Sequence, residues 1–147
     1  MKTRATNLSS EQVEQAWEYA ELLANQNPQH IRTDFLGAII HREDYEDINS
    51  EYGWCVEYVL SPTFLAAHGI PTTNIFCEEN IRVLNIANQE ANRNNNTGHY
   101  EARCARCNTM HNQWQRVWQI SDITEEGISA LQTKFNLSAD LVSEIFQ

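Results

Sequence analysis

The sequence is short of positive charge, with 10 Lys and Arg against 20 Asp and Glu and a formal net charge of -10 at pH 7. Binding to nucleic acid relies on basic groups that neutralise phosphates and release counterions, so this balance speaks against direct nucleic-acid binding. No apolar run approaches the roughly eighteen residues that a membrane span needs, and no apolar stretch follows the basic residues of the opening Met1-Lys2-Thr3-Arg4. A cytoplasmic protein with no membrane contact is expected. Cysteine is sparse, with 4 residues, and in a reducing compartment these are free thiols or metal ligands rather than disulfides. Internal repeats are absent. What is present is 147 residues with 41% apolar content, enough for one sizeable core and short for two ordinary domains.

The negative charge is concentrated. Residues 43–57 hold Glu43, Asp44, Glu46, Asp47, Glu51 and Glu57 without a single Lys or Arg. An acidic surface of this kind keeps a protein soluble. The sharper alternative is a surface that mimics DNA and competes for a basic cleft on a protein partner, with Glu43, Asp44, Glu46, Asp47 and Glu51 as the contact residues.

Ser9-Ser10-Glu11-Gln12 has the form of a capping box, and Val13, Ala16, Trp17, Ala20, Leu23 and Ala24 recur at helical spacing, which predicts a helix ending near Asn25. Phe35–Ile40 reads as a strand or buried turn. Trp54-Cys55-Val56-Glu57-Tyr58-Val59-Leu60 is rich in aromatic and β-branched residues and reads as a strand that Pro62 ends. From Glu78 to about Asn92 the spacing of Ile81, Leu84, Ala87 and Ala91 predicts a helix, followed by an Asn-rich loop. His99–Cys104 and Asn112–Ile120 are the expected arms of a hairpin. Two short helices, Thr124–Phe135 and one capped by Ser138 and ending at Phe146, complete an α+β chain.

One stretch is more specific. Ala16-Trp17-Glu18 precedes Pro28-x3-Arg32-x-Asp34-x2-Gly37-Ala38-x-Ile40-x4-Tyr45 and then Ser50-x2-Gly53-Trp54. Over residues 10–92 this series resembles a family of small HNH-endonuclease proteins, in which Gly-Trp is followed by Glu-Ile-Asp-His-Ile and later by Asn-Leu-Arg-Pro-Leu opening the final helix. Asn80-Ile81-Arg82-Val83-Leu84 corresponds to that helix start. The resemblance implies an HNH-like ββα core over residues 1–97, with residues 98–147 as an extension packed on the same core. In that family the ββα site holds one divalent metal. By the resemblance its metal-binding Asp falls on Glu57, its general-base His on Tyr58, its helix ligand on Gln89 with Asn88 beside it, and a Lys on Asn92. A phenol with a pKa of roughly 10 is a poor base near neutrality, where imidazole titrates near 6.5. The family's proline after the first strand is displaced from position 61 to Pro62. The loop from Thr63 to Glu79 is also longer than in the family, and it carries His68 and Cys77, from which a replacement base could come. The vestigial positions Glu57, Tyr58, Asn88, Gln89 and Asn92 are therefore expected to be inactive.

Cys104-x2-Cys107, with His111 four residues on, has the form of a zinc knuckle, for which Cys77 is the first choice of fourth ligand and Cys55 and His99 the others. The alternative is a pair of reduced thiols in a tight turn. Around it lie Tyr100, Arg103, Arg106, Trp114, Arg116 and Trp118, a weak patch for single-stranded nucleic acid and more often core. The terminal helix pair lacks the basic residues of a DNA-reading helix. Three functions follow: a non-catalytic HNH-like inhibitor of a nucleic-acid-handling enzyme, of the anti-CRISPR or other phage anti-defence type; a metal-dependent HNH endonuclease with a rearranged site; and a zinc-stabilised adaptor that forms a homo-oligomer.

Overall fold

A computed structural model describes residues 2–89, 101–103, 114–116 and 123–146. Strand β1 (Thr3–Ala5) leads to Ser9, whose Oγ accepts the Gln12 N–H at 3.1 Å while Gln12 Oε1 accepts the Ser9 N–H at 3.0 Å. This is the expected reciprocal cap, and it opens helix α1 (Ser10–Tyr19). The helix stops well short of Asn25, and the reason lies in Arg32. Its buried guanidinium donates from Nη1 to the carbonyls of Trp17, Glu18 and Ala20 at 3.2–3.3 Å, and its Nε donates to Pro28 O at 2.8 Å. Trp17 O already accepts the Ala20 N–H at 3.0 Å, and the guanidinium adds a fixed cationic donor to all three carbonyls, so it ends the helix as a C-terminal cap would.

Strands β2 (Glu21–Leu22), β3 (Ile31–Thr33) and β4 (Ile39–His41) then form an antiparallel sheet in that order. The Phe35–Ile40 segment thus divides into a turn and a strand. A second antiparallel sheet takes β1, β5 (Trp54–Tyr58) and β6 (Ile81–Asn85), with β5 in the centre. Residues 81–85 correct the expected helix from Glu78: residues 78–80 make a single 3-10 turn, β6 follows, and helix begins only at residue 86. Ile81 and Leu84 mimic helical spacing. In fact they lie in two different core clusters, one on each face of the sheet.

Alternation along β5 sends Trp54, Val56 and Tyr58 toward α1, where they pack with Ala16, Trp17 and Ile40. Trp17 and Trp54 lie 5.5 Å apart between ring centroids. Each indole N–H reaches a carbonyl, Pro28 O at 3.0 Å and Arg42 O at 3.3 Å, so their polar edges are satisfied. On the other face Cys55, Val59 and Leu84 meet Leu65 of helix α2 (Pro62–Ala67) and Leu131, Phe135 and Ile145 from helices α3 (Glu125–Phe135) and α4 (Ala139–Phe146). Each such large apolar side chain contributes about 1.5–3 kcal/mol on burial. Thr124 caps α3 and Ser138 Oγ accepts from Leu141 N–H, as the sequence indicates.

Helix α2 lies inside what reads from sequence as a long loop. Ser61 Oγ caps it by accepting the Phe64 N–H at 3.1 Å, and Pro62 occupies its first turn, where no N–H is needed. Buried Asn80 closes the rest of this segment: its Oδ1 accepts Leu60 N–H, and its Nδ2 donates to Leu60 O and Ile75 O. Strands β7 (Glu101–Arg103) and β8 (Trp114–Arg116) pair antiparallel, as arms of the expected hairpin. Among the described residues no helix is long and apolar enough to cross a membrane.

Candidate functional site

Of the sequence-selected positions, Glu57 and Tyr58 lie on β5, and Asn88 and Gln89 on the helix that follows β6 from residue 86. Beneath them lies a buried polar hub built on Asp34. The turn at residues 34–37 places this carboxylate under β6, with Gly37 at φ +94°, a conformation that L side chains rarely adopt. Asp34 Oδ1 accepts the N–H groups of Leu36 and Ala38 at 2.9 and 2.7 Å, and Oδ2 accepts Asn85 N–H and Asn88 Nδ2 at 2.8 and 2.9 Å. Burial raises the Asp34 pKa, and the four donors pull the other way. Asn85 extends the hub, donating from Nδ2 to Ile39 O and Glu51 O while its Oδ1 accepts Ala87 N–H at the start of the helix. With four donors on its two oxygens, Asp34 is a framework group rather than a base.

Glu57 and Tyr58 are adjacent in sequence but point to opposite faces of β5. Tyr58 packs in the cluster against α1, and burial raises its pKa further above the ordinary phenol value. Glu57 is 3% exposed, and its cross-strand neighbours are Arg4 on β1 and Arg82 on β6. Asn88 is committed to Asp34. Gln89 is also buried, and among the described residues its Oε1 has no hydrogen-bond partner. Asn92 lies outside the described residues.

The acidic segment is less open than its sequence implies. Glu43 Oε1 lies 2.9 Å from His30 Nδ1, which with the hydrogen bond between them holds the Glu43 carboxyl below its usual pKa. Asp44 Oδ2 accepts Ser50 Oγ–H at 2.5 Å and lies 3.9 Å from His41 Nδ1. Glu46 pairs with Arg4 at 3.4 Å. Asp47 Oδ1 accepts Asn49 N–H, which leaves Asp47 and Glu51 as exposed carboxylates without an ion pair among the described residues. Between them Ile48 stands 68% exposed. The loop itself is held firmly: Glu46 adopts φ +57° and donates its N–H to Trp54 O at 2.7 Å, while His41 stacks on Tyr52 at 4.0 Å. Sequence reasoning found these carboxylates but not Ile48, whose exposure no local pattern signals.

Cys77 lies in the apolar cluster behind β5, and its thiol is pushed up to about 11, chiefly by burial and then by a hydrogen bond with Glu79. That environment favours the thiol over the thiolate that zinc requires. Cys55, also buried there, is pushed up to about 12. Cys104, Cys107 and His111 lie outside the described residues. Among the described residues no group of three or more His, Cys, Asp or Glu side chains could hold a metal ion. His68 is exposed at the end of α2, its ring 4.4 Å from that of Phe64.

No protein-family model, curated protein or solved structure matches this chain. The class that fold and site define is a mixed α+β protein whose two three-stranded antiparallel sheets are joined by a buried Asp-Asn-Asn hub, with β7 and β8 as a separate pair.

Proposed function

We propose that the chain is a non-catalytic, HNH-like binding protein that acts by occupying a protein partner which handles nucleic acid, in the manner of an anti-defence inhibitor from a phage or mobile element. The observation that carries the non-catalytic part is the placement of Tyr58. A phosphodiesterase site needs a metal-bound oxygen and a base converging on one water. Here the residue at the base position packs against α1, on the face opposite Glu57. The binding part is supported by the loop from Arg42 to Gly53, which offers the exposed apolar residue Ile48 with the carboxylates of Asp47 and Glu51 around it. An apolar anchor inside a polar rim is how small interfaces concentrate their energy. Direct nucleic-acid binding has no part in this reading. A structural zinc on Cys104, Cys107 and His111 belongs to the proposal, with Cys77 as its fourth ligand, although burial there favours the thiol.

Purified protein is expected to leave plasmid and single-stranded DNA intact with magnesium, manganese, nickel or zinc, as followed on gels. Metal-dependent cutting that disappears in Glu57→Ala would replace this reading with that of an endonuclease.

The second expectation concerns the loop. Asp47→Lys combined with Glu51→Lys spares the carboxylates bound to His30, Ser50 and Arg4 and removes only the exposed bond to Asn49 N–H, so the unfolding midpoint is expected to shift little. It should weaken partner binding about tenfold, roughly 1.4 kcal/mol. Raising salt from about 0.05 to 0.5 M should weaken the unmodified complex as well, because the screening length shrinks. Quantitative recovery of the partner from host extract measures both, and indifference to both would place the contact elsewhere.

A further inference from the structure

A separate concavity lies where the end of α1 meets the outer side of β6, beside the Phe35 N–H bond to Val83 O at 2.9 Å. It encloses about 200 Å³, and its walls include Tyr19, Glu21, Phe35, Glu78, Ile81 and Arg82. Its apolar lining includes Ile81, which is buried, and Phe35, which is 45% exposed. Arg82 forms a fixed wall: its guanidinium carbon sits 5.0 Å from the centre of the Phe35 ring, and Nη1 donates to Glu79 O and Ile81 O at 3.3 and 2.9 Å. Both Glu21 and Glu78 are exposed, and among the described residues no cation pairs with either. The contrast with Glu18, Glu43 and Glu46 matters, for those are paired to Arg32, His30 and Arg4. Burial, and after it the field of Glu78, raises the Tyr19 hydroxyl above the usual phenol range. Just outside, Leu22 adds a 69% exposed apolar edge.

A lining that sets Phe35 and Ile81 beside the carboxylates of Glu21 and Glu78, which no cation among the described residues pairs, complements a long alkyl stem that ends in a cation. Phosphate is disfavoured, because two carboxylates would face it and Arg82 already serves two carbonyls. We infer that this cleft receives a lysine or arginine side chain of the protein partner, its methylenes over Phe35 and Ile81 and its charged head between Glu21 and Glu78. The inference rests on the partner-binding reading only for the source of that side chain. The site lies on different elements from the acidic loop and gives the partner a second, specificity-setting contact.

The test uses the full chain without any partner. N-acetyl-arginine amide and N-acetyl-lysine amide are titrated while backbone amide resonances are followed by NMR, with N-acetyl-norleucine amide as the uncharged control. Saturable shifts centred on Phe35, Ile81 and Arg82 are expected for at least one basic probe, with a Kd on the order of 1 mM. The norleucine probe should give none. Glu21→Gln combined with Glu78→Gln is expected to weaken binding about fivefold. Raising the ionic strength from about 0.05 to 0.5 M should weaken binding to the unmodified protein by a similar factor, which tests the charge contribution even if the double variant folds poorly. No saturable shift at these residues, equal binding of norleucine, or indifference to both the substitutions and salt would overturn the inference. Because no partner is present, such a failure leaves the partner-binding reading standing, and a failed partner capture leaves the titration result intact.

Discussion

Asp34→Asn is expected to lower the unfolding free energy by about 3 kcal/mol, a large fraction of the stability of a domain this size. The substitution keeps shape and removes one acceptor oxygen. In the protein both carboxylate oxygens accept two N–H groups each, from Leu36 and Ala38 on one side and from Asn85 and Asn88 on the other. The new amide can keep one pair of bonds but must turn its own N–H groups toward the other. Asn88 can reorient its side chain in response. The Asn85 backbone N–H cannot, and it stays buried without an acceptor. Urea denaturation of the two proteins checks this, and a loss below about 1 kcal/mol would mean that the hub relaxes far more easily than its geometry implies.

Gly53→Ala should cost about 3 kcal/mol or more through overlap rather than lost bonding. A Cβ at this position would run into the Asp47 carbonyl oxygen and come within 3.1 Å of Ile86 Cδ1. The oxygen belongs to backbone, so relief requires the whole acidic loop to move off Trp54, and partner binding should fall together with stability. Gly69→Ala makes a suitable control. Unlike Gly53, that glycine has a positive φ, of +66°, but open space surrounds it, so only the conformational penalty of about 1 kcal/mol is expected. Equal thermal shifts for the two variants would argue against the contact with Asp47.

Much of the frame was legible because its determinants are local. The cap at Ser9, the β-branched and aromatic run of β5 and the caps of the last two helices all act within a few residues of chain. Helix α2 was legible too, in the pairing of Ser61 as cap with Pro62 in the first turn and Gly69 just beyond the end; the reading of this stretch as a loop passed over that signal. Two errors had non-local causes. α1 is ended by Arg32, which approaches from a different strand, and β6 is made a strand by its pairing with β5 despite a spacing that imitates a helix.

The positions that carried the HNH resemblance acquire physical roles that are mostly architectural. Arg32 terminates α1, Asp34 holds the hub, Gly37 and Gly53 permit a turn and a close approach, and Trp54 fills the centre of the core. The candidate site was legible only as charge. Which carboxylates of the acidic segment are already paired depends on His30, Arg4 and Ser50, and no spacing rule reveals those partners.

The hub also sets a schedule for the nascent chain. Asp34 reaches partners 51 and 54 residues further on. At a synthesis rate of roughly 5–20 residues per second, its carboxylate waits about 3 to 11 s before Asn88 has even been added. During that interval the turn at residues 34–37 has only its own Leu36 and Ala38 amides to bond, and β3 and β4 have no β6 to close over them. The polar hub that ties β6 to β3 and β4 therefore closes late, only once residues 85 and 88 have been added.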